Sequence, residues 1–172
     1  METKQVIENR LNAFATLYDM HTKFYNNVIE GISDKDAHNR LNTKANHVAW
    51  IAGSIVHGRY ELAYAIGVDR STISENKSSY ELFKDYKGIQ DGVTYPSLAE
   101  YRKDWKLITP VLKDQLLNLS DEQLNGPDPF EMPGEDLTLF DSITFSIDRE
   151  SYCIGQIGLY RRLLGYEAMK YQ

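Results

Sequence analysis

The chain has 172 residues, with 19 Lys plus Arg, 25 Asp plus Glu, four His and one Cys, for a net charge of −6. That length suits one domain, residues 1–172, with a core of its own; 42% hydrophobic and 26% charged residues exclude the disordered, collagen-like and disulfide-rich classes. One Cys excludes an internal disulfide, a zinc knuckle and a CxxC pair, and the acidic balance argues against nucleic acid, whose phosphates need neutralising, so a reduced, cytoplasmic setting is expected.

The first residues are charged and then amphipathic, without the apolar core and cleavage site of a signal peptide. Ile7, Leu11, Phe14, Tyr18, His21, Tyr25 and Val28 step by four and three, which predicts a helix over residues 2–29. Gly31 then ends the run, and Ser33 with Asp36 gives a capping-type start for a short turn. A second helix is expected over Lys44–Ile66, with Val48, Ile51, Ile55, Leu62 and Ile66 inward and Gly67 as its stop. The stretch Ala45–Gly58 is too short and too polar to cross a membrane, so no membrane partner is expected.

Residues 68–96 are rich in Ser, Asp, Lys and Gly and have no sustained period. They read as a surface connection with one short helix near Ser79–Tyr86, and their length makes them a candidate lid or binding loop. Ser97 opens a third helix carrying Leu98, Tyr101, Trp105, Ile108, Leu112 and Leu116 on one face, with Pro110 expected to kink or split it. Ser120-Asp-Glu-Gln is another capping signal, with Leu124 tucked beneath, and the Pro- and Gly-rich run that follows is a loop. A last helix is predicted from about Leu137 to Leu164, with Gly165 at its end and Arg161 and Arg162 suiting the dipole of its last turn. No strand-type alternation is present. The expected fold is all-α, an antiparallel four-helix bundle with a long connection between its second and third helices.

The last helix holds the most informative residues. Ile143, Ile147, Glu150, Ile154 and Ile157 form one stripe, which places a carboxylate in an apolar row where it needs a partner. Arg149, Cys153, Gln156 and Tyr160 form a polar row beside it, and Gly155 and Gly158 would admit a closely packed neighbour.

From Arg149 to Gly165 the sequence reads R-E-S-Y-C-I-G-Q-I-G-L-Y-R-R-L-L-G. It resembles the last-helix motif of the DinB family (DinB/YfiT-like metalloenzymes), H-E-x-Y-H-x-G-Q-x-x-x-x-R-R-x-x-G. The run N-H-V-A-W-I-A-G-S, Asn46–Ser54, is similar to the family's N-x-x-A-W-x-x-G-H, and the Leu-Ser-Asp-Glu-Gln-Leu run, the MPG loop and the following Leu-Thr-Leu also look like family features. The resemblance spans almost the whole chain. It implies a four-helix fold, a nickel or zinc ion held by three histidines, ancestry among thiol-dependent transferases and isomerases, and a homodimer formed through bundle helices.

At the three ligand positions the resemblance implies, this sequence has Ser54, Arg149 and Cys153. Arginine keeps its proton and offers no lone pair, and neutral serine is a poor ligand, so the family's metal is not expected. A shifted metal site drawing on His47 or His57 with Glu150 and Cys153 is the alternative, a metal-dependent enzyme with a rearranged ligand set. The simpler expectation gives both histidines ordinary hydrogen bonds at a helix surface, His21 a place at the core edge and His38 exposure. Without metal, Arg149 would stand as a fixed cation held by Glu150 or another carboxylate. It would then favour the thiolate of Cys153 and offer a donor fork to a small anionic metabolite. Whether any catalysis survives is left open at this point.

Overall fold

The first amphipathic stripe forms a helix over Glu2–Ile29, α1, and buries Leu11, Phe14, Tyr18, His21, Tyr25 and Val28. The computed structural model describes residues 2–131, 133 and 136–172, with side chains except those of residues 2–9 and 78; Ile7 in the first stripe and Met132 and Gly134 of the MPG loop lie outside the described side chains and residues. Ser33 accepts from the backbone of Asp36 and starts the single turn α2, Asp34–Ala37.

The next helix, α3, spans Val48–Ala65, shorter at its start than the predicted Lys44. Leu41 and Asn42 take left-handed φ of 54° and 58°, and Arg40 donates to the carbonyls of Lys44 and Ala45, which commits that stretch to a turn. His47 is the cap, its Nδ1 accepting from the backbone N–H of Trp50 at 3.0 Å. Gly67 follows the helix with φ of +104°, a conformation that glycine adopts without a side-chain clash.

Within the connection, α4 covers Lys77–Phe83 and a 3₁₀ turn covers Lys84–Tyr86. Leu98–Leu117 is α5, opened by a reciprocal capping box between Ser97 and Glu100, and all six residues of its predicted face are buried. Pro110 does not split α5. Both Pro110 and Lys106 are exposed, so the proline ring points to solvent and the carbonyl it strands can meet water. A second capping box opens α6, Asp121–Leu124, with Leu124 fully buried. The last helix, α7, spans Leu139–Leu163 behind a Thr138–Asp141 capping box. Among the described residues there is no strand, only one isolated bridge between Pro127 and Thr138, and no helix is long and apolar enough to cross a membrane.

Contacts join α1 to α5 and α7, and α3 to α5 and α7, so the four long helices close a ring. The paired residues give its directions. Along α1 and α7, Phe14 meets Phe140, His21 meets Glu150 and Val28 meets Gly158, so these two helices run the same way. Along α3 and α5, Gly53 meets Tyr101 and Ile66 meets Gln115, again the same way. Asn26 with Arg102 and Asp19 with Lys113 show α1 and α5 opposed. An arrangement antiparallel at every neighbour, as the sequence suggested, is therefore corrected: two of the four neighbouring pairs are parallel. That explains the long connection. A chain leaving the end of α3 has to travel the length of a helix, roughly 27 Å for eighteen residues, before it can start α5 in the same direction.

The close approach lies at Gly53, where a Cβ would fall 2.4 Å from Tyr101 Cζ and 2.7 Å from Phe83 Cζ. Gly155 has nothing within 4 Å of a built Cβ, and Gly158 meets Val28 at an ordinary 3.7 Å, so neither glycine expected to admit a neighbour is needed for one. Tyr25 stacks on Trp105 at 4.2 Å in the middle of the core. Arg161 crosses from α7 to donate to the carbonyls of Val28 and Glu30 at the end of α1, and to that of Glu167.

Candidate functional site

Glu150, the carboxylate in the apolar row, is 4% exposed. Its partner is Arg59 of α3: Nε donates to Oε1 at 2.6 Å and Nη2 to Oε2 at 2.9 Å. His21 Nδ1 lies 3.2 Å from Oε2. The Arg59 guanidinium stacks 3.5 Å over the Trp105 ring and donates to the hydroxyls of Thr22 and Thr109, so its remaining donors are occupied as well. Burial alone would raise the Glu150 carboxyl; the Arg59 charge and hydrogen bonds, with His21, outweigh it and hold the group below the usual carboxylate range. Glu150 is thus committed to Arg59, and the expectation that it holds Arg149 is corrected.

Arg149, the residue before Glu150 on α7, sits half-buried. Its Nη1 donates to the Ser54 carbonyl at 3.3 Å and lies 3.2 Å from where a Cβ on Gly58 would be, so glycine at 58 leaves the space the guanidinium uses. Among the described residues no carboxylate pairs with it. Ser54 is buried and its hydroxyl donates to the Ile51 carbonyl. Cys153 is also buried; burial pushes its thiol up, Arg149 opposes this and Glu150 adds to it. Desolvation wins, so the thiol is kept protonated, contrary to the expected thiolate. Arg149 reaches Ser54 by that hydrogen bond and Cys153 by its charge alone, and of the three only the arginine is open to solvent. Gln156 is half-buried and Tyr160 buried, and no hydrogen bond joins either to these three.

The histidines go to separate places. His47 caps α3 and packs 5.1 Å from the His38 ring; burial, then the His38 charge, push it down to about 4. His38 is not exposed as expected. It is half-buried, with Nδ1 on the Asp34 carbonyl and Nε2 on that of Tyr95. His57 places Nδ1 2.8 Å from Oε2 of Glu75, a residue of the connection. The rearranged ligand set is therefore not assembled: Glu150, His47 and His57 each answer to a different partner, and among the described residues no three His, Cys, Asp or Glu side chains converge as metal ligands do. The donors at 54, 149 and 153 do not fit a divalent cation either, since one is cationic, one has its hydroxyl engaged and one holds its proton.

Sequence reasoning missed Arg59 and Glu75. Arg59 was signalled: it continues the inward row Ile51, Ile55, Leu62, Ile66 of α3, and a buried arginine and a buried glutamate on facing helices predict each other. Glu75 carried no such signal within an aperiodic loop.

No family model matches the chain and no curated protein matches it. The fold and site define a class by chemistry alone: an all-α protein with a sealed ion pair at its centre and, beside it, a half-buried arginine with no carboxylate partner among the described residues.

Proposed function

We propose that the chain is a DinB-like four-helix-bundle protein that works without a resident divalent metal and binds a small anionic metabolite at Arg149. One observation carries this reading. A half-buried guanidinium rests on a single backbone carbonyl, above a glycine and with no carboxylate partner among the described residues, so most of its donor fork is free for a carboxylate or phosphate. The closed ring of four long helices and the motif residues around Trp50 and Glu150 support the likeness to that family. The net charge of −6 favours a local anion seat over a nucleic-acid surface.

The test uses untagged protein. Metal analysis should find no stoichiometric nickel or zinc, and inorganic phosphate or a dicarboxylate should raise the melting temperature of wild type but not of Arg149→Met. Stoichiometric metal, or an equal thermal shift in both proteins, would overturn the reading.

A further inference from the structure

The burial pattern of α3 shows a strip left open between the connection and α7: Trp50, His57, Gly58, Glu61, Tyr64 and Ala65 are half-buried while the rest of the helix is closed. Arg149 borders this strip from the α7 side at Gly58. Glu75 borders it from the other side, with its side chain 2% exposed and that of His57 14% exposed. His57 Nδ1 is taken by Glu75 Oε2, the ring lies 5.9 Å from each of the rings of Tyr80 and Phe83, and among the described residues no hydrogen bond engages Nε2. Glu75 Oε1 is buried, and among the described residues nothing donates to it. Native proteins leave few buried polar atoms unpaired, and those that persist often mark function.

Here a sealed carboxylate fixes one imidazole nitrogen of a side chain that stays 14% exposed on the half-buried strip, the arrangement in which a carboxylate orients a histidine as a base. We infer that His57, positioned by Glu75, is the hydrogen-bond acceptor on this strip for a ligand that places its anionic group on Arg149. The inference rests on the arginine seat proposed above. The substrate class is a small anion that also carries a hydroxyl. His57 Nε2 accepts a hydrogen bond from that hydroxyl through its lone pair, and the Glu75 carboxylate at Nδ1 makes the ring a stronger acceptor. Other charged groups near the pair are Glu61, held by Arg70, and Asp104, which face it from α3 and α5. Burial raises the Glu75 carboxyl, and the hydrogen bond and charge of His57 oppose this.

The experiment uses the full chain, labelled with ¹⁵N-histidine, with inorganic phosphate as the anion probe and diethyl pyrocarbonate as the reagent for unprotonated imidazole nitrogen, mapped by mass spectrometry. Neutral His57 should be the Nδ1–H tautomer. It should be modified faster than His21, which is buried, and His38, whose nitrogens are both engaged. Glu75→Gln, whose amide can donate or accept, should give mixed tautomers while the protein stays folded. Phosphate should slow His57 modification severalfold in wild type and leave it unchanged in Arg149→Met. An Nε2–H tautomer, or an unreactive His57, would overturn the inference and leave the arginine seat standing, as would phosphate that binds at Arg149 without protecting His57. Phosphate that does not bind wild type at all would remove the seat and the inference together.

Discussion

Arg59 and Glu150 meet through two parallel hydrogen bonds, from Nε and from Nη2, in a place from which both side chains are almost wholly excluded from solvent. The geometry is the bidentate fork that suits guanidinium and carboxylate, and Trp105, Thr22, Thr109 and His21 complete it. Removing one partner strands the other. Arg59→Met or Glu150→Leu alone should lose about 3–5 kcal/mol, while the double variant should recover much of that loss because an apolar pair needs no hydrogen bonds. Urea unfolding of the four proteins of this cycle checks it; two additive losses would mean that the pair is not coupled.

The same pair sets an acid limit. The folded Glu150 carboxyl is held below its ordinary value of 4.5, so an unfolded chain binds this proton more readily. Its contribution is complete above the unfolded value and is lost as pH falls through the folded one. The stability gap between wild type and Glu150→Gln should therefore narrow below pH 4.5, as followed by urea midpoints across that range.

His47 works in a neighbouring window with the same sign. Its imidazole caps α3 only while Nδ1 has a free lone pair, and the folded group is pushed down to about 4 from an ordinary 6.5. The unfolded state binds the proton first, so stability is lost as pH falls from 6.5 towards 4 and regained on the way back. His47→Asn keeps a capping acceptor but has no titrating ring, and its thermal stability should be flatter over that interval.

Two glycines should respond in opposite ways to alanine. Gly53→Ala drives a methyl into Tyr101 and Phe83, two buried rings, and should cost about 1–3 kcal/mol. Gly155→Ala meets nothing and gains helix propensity, about 1 kcal/mol of stability. Thermal melts of the two variants should move to either side of wild type.

Cys153 should be inert. Its buried, protonated thiol predicts slow reaction with a disulfide reagent at neutral pH in the native protein and rapid reaction once urea unfolds it. Fast native labelling would show the thiol to be open to solvent after all.

These differences show what the sequence carried. The inward faces of α1, α5 and α7 were legible because a helix that buries one side must repeat its apolar residues at that side's spacing, and the Ser120–Gln123 box announced itself through a short polar side chain three residues ahead of its partner, whereas Thr138 and Asp141 were not read as the start of α7. The carboxylate at 150 was legible as a group in need of a partner. Helix direction was not, because periodicity is the same for parallel and antiparallel neighbours; only the length of residues 68–96 hinted at it, and that length suggested a lid. The start of α3 was hidden because Arg40, distant along the chain from the helix proper, decides where the turn ends. Glu75 could not be found from pattern, since a loop residue gains its partner from the path of the whole connection.

The parallel course of α1 and α7 brings two helix C-termini to one end of the molecule, each with a partial negative charge of about half an electron. Left alone they would repel. Arg161 lies between them and donates to carbonyls at the end of α1 and just beyond the end of α7. The arginine expected to serve its own helix thus acts as a counter-ion shared by two dipoles, and its positive charge makes their parallel neighbourhood an electrostatically neutral one.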